Sequence, residues 1–152
     1  MIDVYRLSVE PYSEDLSGFG ASIAGGRWNR PGYRVLYTAG SRALATLEVL
    51  VHIPATFIPK VSYLLTIRIP EDSMQTVPFD QLPDGWSGLT PPSAIKDITE
   101  TWITENKFLV LKVPSAVVEG EFNLLLNPAH SRFSDVRTTD KQPYSFDPRL
   151  LR

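Results

Sequence analysis

Apolar and polar positions change period several times along this chain, and each change marks an element. Val61, Tyr63, Leu65, Ile67 and Ile69 alternate with Ser62, Leu64, Thr66 and Arg68, the period-two pattern of a strand. Ala43, Leu44, Leu47, Leu50 and Val51 recur at helical spacing. Ser41 stands where a capping hydroxyl would start that helix, which is expected to run to about His52. Ile95, Ile98 and Trp102 repeat at i, i+3 and i+7 and predict a second helix over 94–105. Shorter runs predict strands over 4–7, 34–38 and 108–113, the last stopped by Pro114, and late strands over 133–136 and 144–146. Pro54 and Pro59 open a connection, and Asn127-Pro128 marks a turn within 123–130.

Two stretches have no period. Residues 8–32 are rich in Gly, Ser and Pro, and a loop that long inside a small domain is usually functional or disordered. Residues 73–92 are broken by Pro78, Pro83, Pro91 and Pro92 and read as an extended piece plus a loop. Strands outnumber helices and do not alternate strictly with them. The expected class is α+β, a single domain over residues 1–152 with a mixed or largely antiparallel sheet and few helices.

Composition narrows the function classes. A chain of 152 residues with 43% hydrophobic and 21% charged residues is an ordinary one-domain globule. A net charge of -2 gives no global sign of nucleic acid or of an acidic membrane surface. The absence of cysteine excludes disulfides, thiolate metal sites and a cysteine nucleophile. No apolar run is long enough for a bilayer, and Met1-Ile2-Asp3-Val4-Tyr5-Arg6 is not a signal-peptide start. A soluble cytoplasmic protein is expected.

The familiar motifs are missing: no Walker loop, no GxGxxG after a strand, no HExxH. His52 and His130 lack zinc-type spacing, and His52 at a helix end reads as a surface or capping residue. Ser115, His130 and Asp135 could be assembled on paper into a hydrolase triad, but no nucleophile-elbow pattern surrounds Ser115. What stands out is Gly25-Gly26-Arg27-Trp28-Asn29. Paired glycines let backbone turn or lie close to a ligand, and the arginine that follows is a fork suited to phosphate or carboxylate.

Arg27, Tyr37, Glu48 and Ser115 come from a loop, a strand, a helix and a strand end. Glu48 lies four residues beyond Leu44 and one beyond Leu47, so it sits on or beside the apolar stripe. Each residue also has a structural reading. Tyr37 could be core, Glu48 could pair with Arg42 or Arg34, and Ser115 after Pro114 could cap a turn.

Taken together, the motifs resemble the RES domain family, named for an arginine, a glutamate and a serine. The matching stretches are Tyr5-Arg6, the 25–29 cluster, Leu36-Tyr37-Thr38-Ala39, and Leu47-Glu48 on its helix. Val113-Pro114-Ser115, the run from Asn123 to His130 and Phe146-Asp147-Pro148-Arg149-Leu150 complete the set. The family's Arg-Glu-Ser would fall on Arg27, Glu48 and Ser115. The resemblance implies a toxin of a bacterial toxin–antitoxin pair with an ADP-ribosyltransferase-like fold. It implies consumption of NAD+ by cleavage of the nicotinamide–ribose bond, with water or phosphate as acceptor, and growth arrest as the outcome. It implies as partner an Xre-type helix-turn-helix antitoxin that blocks the active site, with DNA reached only through that antitoxin. Residues 73–92 match no motif of the family and read as a variable insertion.

The chemistry gives these side chains roles. Arg27 and Arg6 would hold the phosphates of NAD+, and Tyr37 would stack on nicotinamide. Glu48 would stabilise positive charge on the ribose. Ser115 would orient Glu48 or the ribose, and Asn123 and His130 are candidates for outer positions. NAD+ is the substrate, and no cofactor or metal is required. The alternatives are an ADP-ribosyltransferase modifying a protein target, and a non-catalytic module that binds a nucleotide or protein.

Overall fold

The computed structural model describes residues 1–9, 11–54, 56–57 and 61–151. Its elements in order are β1 (Ile2–Val9), α1 (Phe19–Ala24), β2 (Leu36–Ala39), α2 (Arg42–Leu50), β3 (Ser62–Ile69) and β4 (Met74–Thr76). After these come α3 (Ala94–Glu105), β5 (Val110–Pro114), β6 (Phe122–Leu126) and β7 (Arg137–Tyr144). Short 3-10 turns lie at Phe79–Gln81, Ser131–Asp135 and Pro148–Leu151.

The strands form one seven-stranded sheet in the order β4-β5-β6-β2-β1-β3-β7. Only β4 and β5 pair in parallel; the other neighbours are antiparallel. The mixed sheet with few helices is the α+β architecture expected from the pattern of strands and helices.

The two helical periods became the predicted helices. Ser41 Oγ accepts from Leu44 N at 3.1 Å and starts α2. The helix ends at Leu50, and Val51 and His52 continue it only as a turn. The helix α3 matches the predicted 94–105 and closes on Asn106 at φ 51, a left-handed cap that asparagine tolerates.

Each face of the sheet is buried differently. Val4, Leu36, Leu65, Ile67, Ile69, Leu124 and Leu126 fill one side, with Leu16, Phe133 and Val136 packed on them. On the other side α2 covers Leu7, Ala39 and Leu64 with Leu44 and Ala45. Farther along that side α3 covers Leu111, Val113 and Leu125 with Ile95 and Trp102, and Tyr37 packs at the edge of this cluster. Tyr37 and Ala39 are two residues apart on β2, so both clusters share a face. The seam between them is where the polar residues gather.

Four expectations are corrected. Residues 8–32 are not all loop: β1 extends to Val9 and α1 lies within the stretch. α1 buries no residue, so no apolar period announced it. Residues 133–136 are not a strand. His130 Nδ1 accepts from Arg132 N at 3.0 Å and opens a 3-10 turn there instead. The strand expected at 144–146 is β7, which ends at Tyr144. Most of β7 is exposed, and its polar Arg-Thr-Thr-Asp-Lys-Gln run suits an edge strand. β6 occupies 122–126, where only a turn was read, because a strand covered on both faces shows no alternation. Pro59 falls outside the described residues.

Candidate active site

The seam is built from three directions. β6 is paired with β2 and β5 so that Ala39, Asn123 and Val113 form one row and Tyr37, Leu125 and Leu111 the next. Asn123 and Tyr37 therefore project from neighbouring strands on one face, and Ser115 follows at the end of β5. α2 lies over this face and lowers Glu48 into it.

Glu48 is half-buried. Its Oε1 accepts from Ser115 Oγ at 3.3 Å, and the Asn123 side chain, whose Nδ2 donates to Thr38 O at 3.4 Å, lies close enough to favour its ionised form. Burial raises its pKa above the ordinary carboxylate value, against the opposing pull of Ser115, His52, Asn123 and Arg27. Among the described residues Glu48 makes no salt bridge. Arg42 lies over the Tyr5 ring at 4.6 Å and Arg34 over the Phe19 ring at 5.5 Å, so neither of its possible surface partners takes it. A carboxylate held by a neutral donor and poorly hydrated is available to a developing positive charge.

Ser115 Oγ also accepts from Val117 N and Val118 N, each at 3.0 Å. It caps the turn after β5 and orients Glu48 at once. Its hydroxyl hydrogen goes to a carboxylate that is not part of a base relay. His130 contacts Lys107 O and Arg132 N, and Asp135 pairs with Arg132 at 2.9 Å. The hydrogen bonds of Ser115, His130 and Asp135 do not join them, which removes the triad. They also leave His130 apart from Glu48, while Asn123 lies beside it. His52 is exposed at the end of α2, with Nδ1 2.6 Å from Glu48 O, so it caps the helix.

The 25–29 cluster forms the opposite wall. Asn29 is fully buried, and its Nδ2 donates to Ala21 O, Arg30 O and Tyr33 O. Its Oδ1 accepts from the Tyr37 hydroxyl, which in turn accepts from Trp28 N at 3.3 Å. Gly26 is required here, since a Cβ would stand 2.7 Å from the Tyr37 hydroxyl oxygen. Burial pushes the Tyr37 pKa upward, so the phenol keeps its proton and goes on donating. With its hydroxyl committed to the loop, the half-buried ring is what Tyr37 can offer a ligand.

Arg27 is near enough to Tyr37 and Glu48 for its charge to act on both. Its Nη1 donates to Trp86 O and Gly88 O. Those two residues come from the stretch that matched no motif, so an apparent insertion contributes to the site. Arg6 is set apart. It alternates with Tyr5 and Leu7 and so turns to the Val4 face of β1. Its Nη1 donates to the Tyr37 carbonyl at 3.0 Å, next to the single row that pairs β1 with β2. Burial lowers its pKa, with Asp15 opposing.

A model of the RES domain matches residues 3–147. The chain belongs to the RES domain family. A relative named Prs ADP-ribosylating toxin, from Sphingobium sp., is 36% identical over 92% of this chain and 89% of its own length. Toxin Res of Photorhabdus laumondii is also 36% identical, over 98% and 97%. A solved structure entitled the M. tuberculosis MbcT-MbcA toxin-antitoxin complex shares the fold, with a TM-score of 0.78 at 21% identity. That match covers 98% of this chain and 86% of the other. No helix among the described residues of this RES domain is long and apolar enough to cross a membrane.

Proposed function

We propose that this RES domain is a toxin that consumes NAD+ by breaking the bond between nicotinamide and ribose. The observation that carries the reading is Glu48: a half-buried carboxylate with no salt bridge among the described residues, fixed by Ser115 beside Asn123 in a seam also reached by Arg27 and Tyr37. In the reaction the electron pair of the glycosidic bond leaves with the nicotinamide nitrogen, which becomes neutral. The ribose carbon becomes cationic, and an acceptor oxygen attacks it and loses a proton. Glu48 stabilises the cation and orients the acceptor, Ser115 holds Glu48 beside Asn123, Tyr37 stacks on nicotinamide and Arg27 grips the pyrophosphate.

The acceptor divides the reading in two. With water or phosphate the products are ADP-ribose or its phosphorylated form. With a macromolecule the protein is an ADP-ribosyltransferase, and the name of the Sphingobium relative favours that variant. Incubating purified protein with NAD+, with and without an added cell extract as source of macromolecular acceptors, and weighing the products decides between them. Nicotinamide release without extract is expected for water or phosphate and release only with extract for a macromolecule, and NAD+ left intact in both would overturn the proposal.

The partner proposed is an Xre-type helix-turn-helix antitoxin covering the seam, through which alone the toxin reaches DNA. The complex named for the mycobacterial neighbour supports the pairing. Expression without the antitoxin should arrest growth and deplete NAD. Normal growth with unchanged NAD, despite soluble folded protein, would count against it.

A further inference from the structure

Arg27 distributes its donors unevenly. Nη1 donates to Trp86 O at 2.8 Å and to Gly88 O at 2.9 Å. Each Nη of a guanidinium carries two hydrogens and Nε carries one, so these carbonyls occupy one end. Among the described residues Nε and Nη2 have no protein partner. That remaining edge is a side-on fork for two oxygens of one phosphate or carboxylate.

The turn that supplies the carbonyls is tied down on both sides. Gly85 adopts φ 79, and Gly88 N donates to Gly85 O at 3.1 Å. The Trp86 ring lies 6.2 Å from that of Trp28, the buried neighbour of Arg27, and 6.4 Å from that of Phe79. Turn and arginine are therefore held against each other by aromatic packing and by two charge-assisted hydrogen bonds. The hydrogen bond that holds Glu48 comes instead from Ser115.

We infer that the turn at 85–88 is a positioning element for Arg27, fixing Nη1 so that the Nε–Nη2 edge faces the pyrophosphate of the dinucleotide. The inference rests on the reading of Arg27 as a pyrophosphate ligand. It assigns the turn to recognition of the diphosphate and not to bond cleavage. Lysine at position 27 could not be held this way, because it has no second edge.

The test is Gly85→Val, which puts a β-branched residue at a positive φ and displaces the carbonyls. A Cβ at Gly85 meets nothing within 4 Å, so the change does not overpack its surroundings. Calorimetric affinity for ADP-ribose, which has the diphosphate and no nicotinamide, should fall about tenfold. KM for NAD+ should rise by a similar factor with kcat changed less than about twofold. Cleavage of nicotinamide riboside, which has the scissile bond and no phosphate, should be unaffected. In an Arg27→Lys background Gly85→Val should add less than about twofold. Trp86→Ala removes the packing and keeps the carbonyl. It should shift ADP-ribose affinity the same way and serves if Gly85→Val does not fold. The inference is overturned if a folded turn variant binds ADP-ribose like the parent, if riboside cleavage falls equally, or if the effects of the turn and Arg27→Lys add. A parent that binds ADP-ribose and leaves NAD+ intact even with a cell extract present would overturn the proposed reaction and leave the turn's role standing.

Discussion

The two walls of the seam are made in different ways. Glu48, Asn123 and Ser115 sit on or at the end of regular elements: α2, β6 and β5. Their directions follow from helix phase and strand register, so the backbone ladders place them. Arg27 sits in irregular chain. It is placed by a buried amide with four hydrogen bonds, a tyrosine hydroxyl, a tryptophan pair and a turn about sixty residues away in sequence. A charge on a helix inherits rigidity from the element. A charge on a loop has to be given it by side chains. The first wall should therefore fail by losing chemistry, and the second by losing stability or binding.

The sharpest break is Glu48→Gln. The change keeps the size and a good helix former, and removes the charge that would stabilise the ribosyl cation. Turnover in single-turnover NAD+ cleavage should fall about a hundredfold or more, with KM little altered. The pKa of Glu48 is raised in the fold, so ionising it costs stability as pH rises through the interval above the unfolded value. Gln removes that cost, and melting at neutral pH should be unchanged or slightly improved. A parental rate in folded Glu48→Gln protein would remove Glu48 from the mechanism.

On the other wall, Asn29→Ala should be the most damaging to the fold. It takes one partner each from the Ala21, Arg30 and Tyr33 carbonyls and the acceptor from the Tyr37 hydroxyl, and should cost about 2 kcal/mol by denaturant unfolding. A loss within error would show that the loop does not depend on its buried amide. Arg27→Lys keeps the charge and loses the fork, so KM for NAD+ should rise about tenfold with kcat nearly constant. An equal fall in kcat would move Arg27 to the Glu48 side of the comparison. Tyr37→Phe keeps the ring and removes the hydroxyl, for a loss of about 1 kcal/mol in stability and a smaller effect on turnover.

The smallest effect lies in pH dependence. In the proposed mechanism Glu48 acts in its ionised form, so activity should be lost as pH falls through its raised pKa. The Ser115 hydroxyl favours the ionised form, and Ser115→Ala should move the acid limb of kcat/KM to higher pH. A shift to lower pH, or none, would show that Ser115 acts only as the cap for Val117 N and Val118 N.

Much of this protein was determined by sequence alone. The helical stripe of 43–51 with Ser41 before it and the alternation of 61–69 were readable because the signal is local: a period and a cap. Glu48 beside the apolar stripe could be placed for the same reason, and so could the order of the family motifs. Tertiary structure decided the rest. β6 hid its period because both of its faces are covered, and β7 hid its own because most of it is exposed. The side of β1 that Arg6 takes follows from the alternation of the strand, but that its guanidinium ends on the Tyr37 carbonyl was decided by the fold. Trp86 and Gly88 entered the site from a stretch with no motif, because what they contribute to Arg27 is backbone carbonyl. A carbonyl is carried by every residue, so no residue type marks it, and only the folded chain shows where it points.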